Sequence, residues 1–227
     1  MPDTPNSSSP RRRFITNLIG GTAALAAGTV GARGLFAQGS GFPTYQPPQG
    51  GWDMSWVDKV EKAKHRLVID SPEVGDGLAL TNAQTVLAGY ADVYKTTDAD
   101  MALVVVIRHK AIQMILNDGI WARWKIGEQL NVKDGGEPAV RNTFAKGGER
   151  GGGSSLEALI QRGVTVLACN LALMRSAGQF ATAMNMPVDE ARKLFIDSVV
   201  PGVVRQTNGV FAVTRAQEAG AHFLKST

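Results

Sequence analysis

Short apolar runs alternate with longer amphipathic segments along most of the chain. The runs have the length and the β-branched content of strands, and they predict strands at 66–70, 101–107, 164–168 and 199–203, with an edge strand at 221–225. Apolar positions at helical spacing predict helices at 78–95, 110–117, 120–130, 154–162, 170–184, 188–197 and 208–220. Strands that alternate with helices predict an α/β fold, with a mostly parallel sheet and helices on both faces.

The first 37 residues have the layout of an export signal. A polar start leads to three arginines at 11–13, a weakly apolar run at 18–32 follows, and small residues near Ala37 suit cleavage. Paired arginines before Phe14 favour the twin-arginine route, and an uncleaved anchor is the alternative. We therefore expect a periplasmic protein. Its predicted segments are a signal peptide at 1–37, a linker with a short helix at 38–63, and an α/β domain at 64–227.

Composition and charge exclude several classes of protein. The single cysteine rules out a disulfide framework and a Cys-rich zinc site, and the histidines have no ligand spacing that predicts a metal. The formal charge of +4 comes mostly from the export segment, so the rest of the chain is nearly neutral and predicts no nucleic-acid partner. No stretch of about 18 strongly apolar residues occurs, so we expect no stable membrane span after signal removal.

Cys169 is the strongest candidate for chemistry. It follows the predicted strand 164–168 and precedes the predicted helix 170–184. In a parallel sheet this places its sulfur at the carboxyl edge, where ligands usually bind. The positive end of the helix dipole favours a thiolate there, and a thiolate is the nucleophilic form of cysteine. A buried, inert cysteine is the alternative.

The segment 163–175, with the sequence GVTVLACNLALMR, resembles the active-site segment of the DsrE/DsrF-like proteins. In that family a cysteine ends a strand and is followed after two residues by Ala or Cys, and then by Arg. The segments 200–203 and 216–224 are similar to the closing strand, helix and strand of the family. The order of the predicted elements agrees from about Arg66 to Lys225, although the chain has a long insertion at about 131–153.

The resemblance implies a three-layer α/β/α sandwich with about five strands. It also implies a homo- or hetero-oligomer, commonly a trimer or a hexamer, of which we expect a homo-oligomer here. In addition, it implies that Cys169 accepts sulfur as a persulfide and passes it to another thiol. The expected partners are a small sulfur compound and a thiol-bearing acceptor protein. No cofactor is expected.

Several residues near the expected carboxyl edge could assist Cys169. Arg108 could bind an anion, and His109 could act as a proton shuttle, because both follow the predicted strand 101–107. Asn170 could support the thiolate through its amide, and Arg175 could steer an anion. Solvated loop residues are the alternative for Arg108 and His109.

Two other features invite a functional interpretation. Trp121 and Trp124 lie three residues apart, which predicts one helix face and core packing, with a subunit interface or a lid as alternatives. The glycine-rich segment 146–153 predicts a mobile loop, because it lacks the Lys-Ser/Thr ending of a phosphate-binding loop.

Three functions are compatible with the sequence. The first is a sulfur-handling protein, either a persulfide carrier or a sulfurtransferase, that uses Cys169 and needs no second thiol. The second is a non-enzymatic, oligomeric module that binds a small ligand and has an inert cysteine. The third is a redox partner that acquires a cofactor before export. We rank them in this order.

Overall fold

The computed structural model describes residues 47–147 and 152–227. The predicted signal peptide, residues 38–46 of the predicted linker segment and residues 148–151 of the glycine-rich segment lie outside these residues. The described part contains a five-stranded sheet, formed by β1 His65–Ser71, β2 Met101–Ile107, β5 Thr165–Cys169, β6 Val204–Gln206 and β7 His222–Lys225. The strand order is β6-β5-β2-β1-β7, and all neighbouring strands are parallel.

Helices cover both faces of this sheet. One face packs against α2 (Leu78–Tyr94), α6 (Leu156–Gln161), α7 (Asn170–Met184) and α8 (Val188–Asp197). The other face packs against α1 (Ser55–Lys62) and α9 (Gly209–Glu218). The short helix predicted within 38–63 is therefore present, and its Trp56, Val57 and Val60 belong to the core. The predicted α/β/α sandwich with a parallel sheet of five strands is confirmed.

β2 shows why the sheet is buried on both sides. All seven of its residues are buried. Leu103, Val105 and Ile107 face one core, while Val104 and Val106 face the other. A strand that is covered on both faces needs apolar residues at every position, which explains the uninterrupted apolar run in the sequence.

The predicted strand at 199–203 is wrong. Val199 instead forms an isolated antiparallel bridge with Leu116, and Val200 donates its backbone N–H to the carbonyl of Ile115. Pro201 and Gly202 then make a turn, in which Gly202 has a left-handed φ of 85°. The sheet strand β6 begins only at Val204. The apolar composition of 199–203 predicted a strand, but the chain joins the sheet only after the Pro-Gly turn.

The helical prediction between 110 and 130 needs two corrections. The first part is a 3₁₀ segment, His109–Ile115. The second part is two short helices, α3 (Asp118–Arg123) and α4 (Ile126–Leu130), because Lys125 has a left-handed φ of 51°. Trp121 and Trp124 are buried in the core, which confirms packing as their role.

The segment 131–153 is docked on the domain in its described part. It forms a hairpin of β3 (Lys133–Asp134) and β4 (Glu137–Pro138), followed by α5 (Thr143–Lys146). Buried Asn142 holds the segment in place. Its Nδ2 donates to the carbonyls of Met114 and Leu116 at 2.6 and 2.7 Å. Its Oδ1 accepts the N–H groups of Phe144 and Ala145 and thereby caps α5.

No helix within 47–147 or 152–227 has the length and apolar character needed to cross a membrane.

Candidate functional site at the carboxyl edge of the sheet

Parallel pairing brings the ends of neighbouring strands to one edge. Cys169 of β5 pairs with Gln206 of β6, and Ala168 pairs with Ile107 of β2. Arg108 therefore follows β2 at the level of Cys169. Because residues in register share one face of a sheet, Gln206, Cys169 and Arg108 form a row across the edge on the side that carries α1 and α9.

Cys169 ends β5 and is the N-cap residue of α7. Its Sγ accepts the backbone N–H of Ala172 at 3.4 Å. This bond occupies one of the N–H groups that a helix leaves unpaired at its start. The predicted placement of Cys169 at a strand end beside a helix N-terminus is confirmed. The residue is buried, with 6% of its surface exposed.

The cation of this row, Arg108, is held by Asp70 of β1. Arg108 Nε and Nη2 donate to the two carboxylate oxygens of Asp70 at 2.6 and 2.7 Å. The two side chains are 19% and 6% exposed. The hydrogen bonds to Asp70 raise the pKa of Arg108, and the charges of Asp70 and then Cys169 act in the same direction against burial. Arg108 thus lies between a carboxylate and the sulfur.

Gly209, the first residue of α9, lets this helix approach Arg108. A Cβ at Gly209 would lie 2.8 Å from Arg108 Cβ and Cδ. Any larger residue would displace the guanidinium, because Cβ contacts below 3.0 Å are essentially never seen. The start of α9 therefore packs against the side chain of Arg108 and holds it in place.

His109 and Arg175 do not join this row. His109 follows Arg108 with a left-handed φ of 51° and is exposed, and within the described residues no hydrogen bond links it to Cys169. Arg175 is exposed on α7, and no contact of its side chain with Cys169 exists in the part of the chain described. Their proposed roles stay predictions.

Asn170 is buried and binds an arginine that the sequence reasoning did not consider. Arg205 of β6, which pairs with Ala168, donates from Nη1 to Asn170 Oδ1 at 3.1 Å. Burial lowers the pKa of Arg205. Asn170 therefore binds a second guanidinium, which belongs to a strand residue in register with Ala168 and not with Cys169.

Gln206 is fully buried at the same edge. Its Nε2 donates to the carbonyl of Asp53 at 2.7 Å, which attaches the segment before α1 to the end of β6. Its Oε1 has no hydrogen-bond partner among the described residues. Gln206 thus places a buried polar side chain on the strand position next to Cys169.

Asp70, Arg205, Gln206 and Gly209 are the site residues that sequence reasoning missed. A signal existed for Asp70, because a carboxylate at the end of an apolar strand marks a polar edge. Arg205 and Gln206 were hidden by the misplaced fourth strand. Gly209 resembled an ordinary residue at the start of a helix.

Other kinds of site lie elsewhere or are absent from the described residues. No group of three or more His, Cys, Asp or Glu side chains in 47–147 and 152–227 could hold a metal ion. A cleft of about 450 Å³ lies at the opposite, amino-terminal edge of the sheet, where Lys59, Lys62, Asp98 and Arg162 line it. It is remote from Cys169, because its wall includes Met101, the first residue of β2.

Comparisons with known proteins add no function. No protein-family model matches the chain, and no curated protein matches its sequence. A solved structure of a protein of unknown function, MTH1491 from Methanobacterium thermoautotrophicum, is similar with 17% identity and a TM-score of 0.38. The match covers 71% of this chain and 99% of that one.

Proposed function

We propose that the protein handles sulfur and that Cys169 carries it as a persulfide. The observation that supports this most is the surroundings of Sγ: a helix N–H at 3.4 Å and the guanidinium of Arg108 in the same row. Both groups stabilise a negative charge on sulfur. The single cysteine favours a carrier over a dithiol oxidoreductase, because the chain has no second thiol to resolve a mixed disulfide.

The proposed reaction has two displacement steps. The thiolate of Cys169 attacks a sulfane sulfur, a new S–S bond forms, and the old bond breaks with its electron pair leaving on the donor remnant. An acceptor thiolate then attacks the outer sulfur of the persulfide, and Cys169 leaves as a thiolate. Arg108 and the start of α7 stabilise the charge on Sγ before and after each step. His109 supplies or removes a proton on the acceptor, and Arg175 attracts the anion.

Mass spectrometry tests this proposal directly. After incubation with thiosulfate or polysulfide, the intact protein is expected to gain the mass of sulfur, and Cys169→Ser is expected to gain none. A second control is the same protein unfolded in urea, which reports the reactivity of the thiol without its surroundings. If the native thiol takes up no sulfur while a small control thiol does, the proposal is wrong.

The burial of Cys169 favours a second candidate function. A thiol with 6% exposure is also expected in a non-enzymatic module that binds a small ligand and keeps its cysteine inert. Alkylation at neutral pH separates the two candidates. The carrier is expected to react in the native state, whereas the inert thiol is expected to react only after unfolding.

The remaining elements of the proposal concern family, location and assembly. Membership of the DsrE/DsrF-like family rests on the segment around Cys169, and periplasmic export rests on the residues 1–37. A homo-oligomer, such as a trimer or a hexamer, rests on the same resemblance. Light scattering on the purified protein would determine its mass in solution, and a monomer would exclude the assembly.

A further inference from the structure

The cleft at the amino-terminal edge of the sheet takes no part in the chemistry proposed for Cys169. Its volume is about 450 Å³, which lies within the range of sites that bind small molecules. The last turn of α1 and the residues that end α6 line it, together with the segment that enters β2. The cleft is therefore large enough for a ligand and lies where three parts of the fold meet.

Three cations and one carboxylate line this cleft. Arg162 donates from Nε and Nη2 to the two oxygens of Asp98 at 3.0 and 2.8 Å, so these two charges neutralise each other. Lys59 donates from Nζ to the carbonyl of Gly163, which carries no net charge. Lys62 forms no hydrogen bond or ion pair with any residue in 47–147 or 152–227. Two positive charges in the cleft thus lack a counter-charge among the described residues.

The position of these two lysines in α1 does not remove the imbalance. Lys59 and Lys62 lie three residues apart, on one face of the helix and in its last turn, where the dipole favours a cation. The end of a helix carries only about half an elementary charge, so the ends of α1 and α6 together do not neutralise both lysines. Desolvation lowers the pKa of Lys59, as expected for a cation without a counter-charge.

The rest of the cleft is partly apolar. Ala63, Ala99 and Met101 line it beside the lysines, and Met101 is buried. A bare inorganic ion would leave these side chains in contact with water. A ligand that combines an anionic group with a small apolar body would cover them and accept hydrogen bonds from the ammonium groups at the same time.

We propose that this cleft binds a small organic anion. Its charged group would lie between Lys59 and Lys62, and its apolar body would lie against Met101. A phosphate monoester fits this description, because it carries nearly two negative charges and has three oxygens that can accept from both ammonium groups. The site does not depend on sulfur handling, since it lies at the opposite edge of the sheet from Cys169.

Calorimetric titration at about pH 8 with three probes tests the class of ligand. Phenyl phosphate has both the dianionic group and the apolar ring, inorganic phosphate has only the charge, and phenol has only the ring. Phenyl phosphate is expected to bind with a Kd of about 1 mM or lower. Inorganic phosphate is expected to bind at least about threefold more weakly, and phenol is expected not to saturate the protein below about 10 mM.

Three variants test the place of binding. Lys62→Gln removes one charge and no hydrogen bond of the described structure, and it is expected to weaken the binding of phenyl phosphate by about threefold. The double variant Lys59→Gln/Lys62→Gln is expected to weaken it by about tenfold or more. Lys133→Gln is the control, because Lys133 is an exposed lysine of β3 outside the cleft, and it is expected to bind as the wild type does.

Several results would overturn the proposal. Failure of phenyl phosphate to saturate the wild type below about 10 mM would show that no such site exists. Equal affinities of the wild type and Lys62→Gln would place the ligand elsewhere. Phenol or inorganic phosphate that binds as tightly as phenyl phosphate would refute the class of ligand. Cys169→Ser is expected to bind phenyl phosphate as the wild type does, so this test is independent of the one for sulfur uptake.

Discussion

Replacing Asp70 by Asn tests the ion pair that holds Arg108 beside Cys169. Asparagine keeps the shape of the side chain and one acceptor oxygen, but it removes the negative charge. Arg108 is then left at the edge of the sheet without its carboxylate. The variant should be less stable than the wild type, and its cysteine should be more reactive.

The expected loss of stability follows from burial. Removing one partner of a buried ion pair costs about 3–5 kcal/mol, and the partial exposure of Arg108 (19%) favours the lower end, about 3 kcal/mol. For a domain of this size such a loss lowers Tm by about 6–12 °C. The pair of Arg162 with Asp98 is a matched control. It has the same two-point geometry, at 3.0 and 2.8 Å, but its side chains are 34% and 40% exposed. Asp98→Asn should therefore cost about 1 kcal/mol or less.

Calorimetry of both variants measures the stability difference, and alkylation of Cys169 measures the electrostatic effect. Without Asp70, the thiolate becomes the anion nearest to Arg108, so alkylation should be faster in Asp70→Asn. A destabilised protein also unfolds more often, locally or globally, and each unfolding event exposes the thiol to the reagent. The rate must therefore be compared with that of Asn142→Ala, a variant that is destabilised away from the site. Equal Tm losses in Asp70→Asn and Asp98→Asn, or alkylation no faster than in Asn142→Ala, would refute the reasoning.

Three further predictions concern stability. Gly209→Ala should lower the free energy of unfolding by about 1–3 kcal/mol, because the new Cβ would lie 2.8 Å from Arg108 atoms. Gly178→Ala in α7 should raise it by about 0.5–1 kcal/mol, because its Cβ would meet nothing within 4 Å. Urea unfolding of both variants measures these opposite changes. Asn142→Ala removes four hydrogen bonds of a buried amide and should cost about 3 kcal/mol or more in the same assay, and an unchanged midpoint would mean that the insertion contributes nothing to stability. Hydrogen bonds from Ser55 lower the pKa of Asp53, so its stabilising contribution is present above the ordinary pKa of aspartate and disappears as the pH falls through the lowered value. Asp53→Asn should therefore lose slightly less stability than the wild type on acidification, and identical acid titrations would contradict this.

Strong patterns were sufficient to predict several elements around the candidate site. β2, α7 and α8 were predicted with the bounds that the structure has, because their apolar positions are dense and their ends are marked. The 3₁₀ segment and the break at Lys125 could not be predicted in this way. A left-handed residue within a helical pattern arises from tertiary packing, which local spacing does not encode.

The site was predictable as a place but not as a set of contacts. The rule that ligands bind at the carboxyl edge located Cys169 and Arg108 correctly. Asp70 precedes Arg108 by 38 positions, and only the pairing of β1 with β2 brings them together. Arg205 lies in β6, which begins at Val204. Because the strand was predicted at 199–203, Arg205 was not among the predicted site residues. Strand register therefore accounts for most of what the sequence did not reveal.

The Sγ of Cys169 also has a structural role, because it caps the N-terminus of α7. A passenger atom attached to that sulfur would change the electron density offered to the amide of Ala172. Under the proposed function, binding of sulfur to Cys169 should therefore shift the amide resonance of Ala172 and change its hydrogen exchange. An acceptor protein that contacts this turn could then distinguish the persulfide form of Cys169 from the thiol form without contacting the bound sulfur.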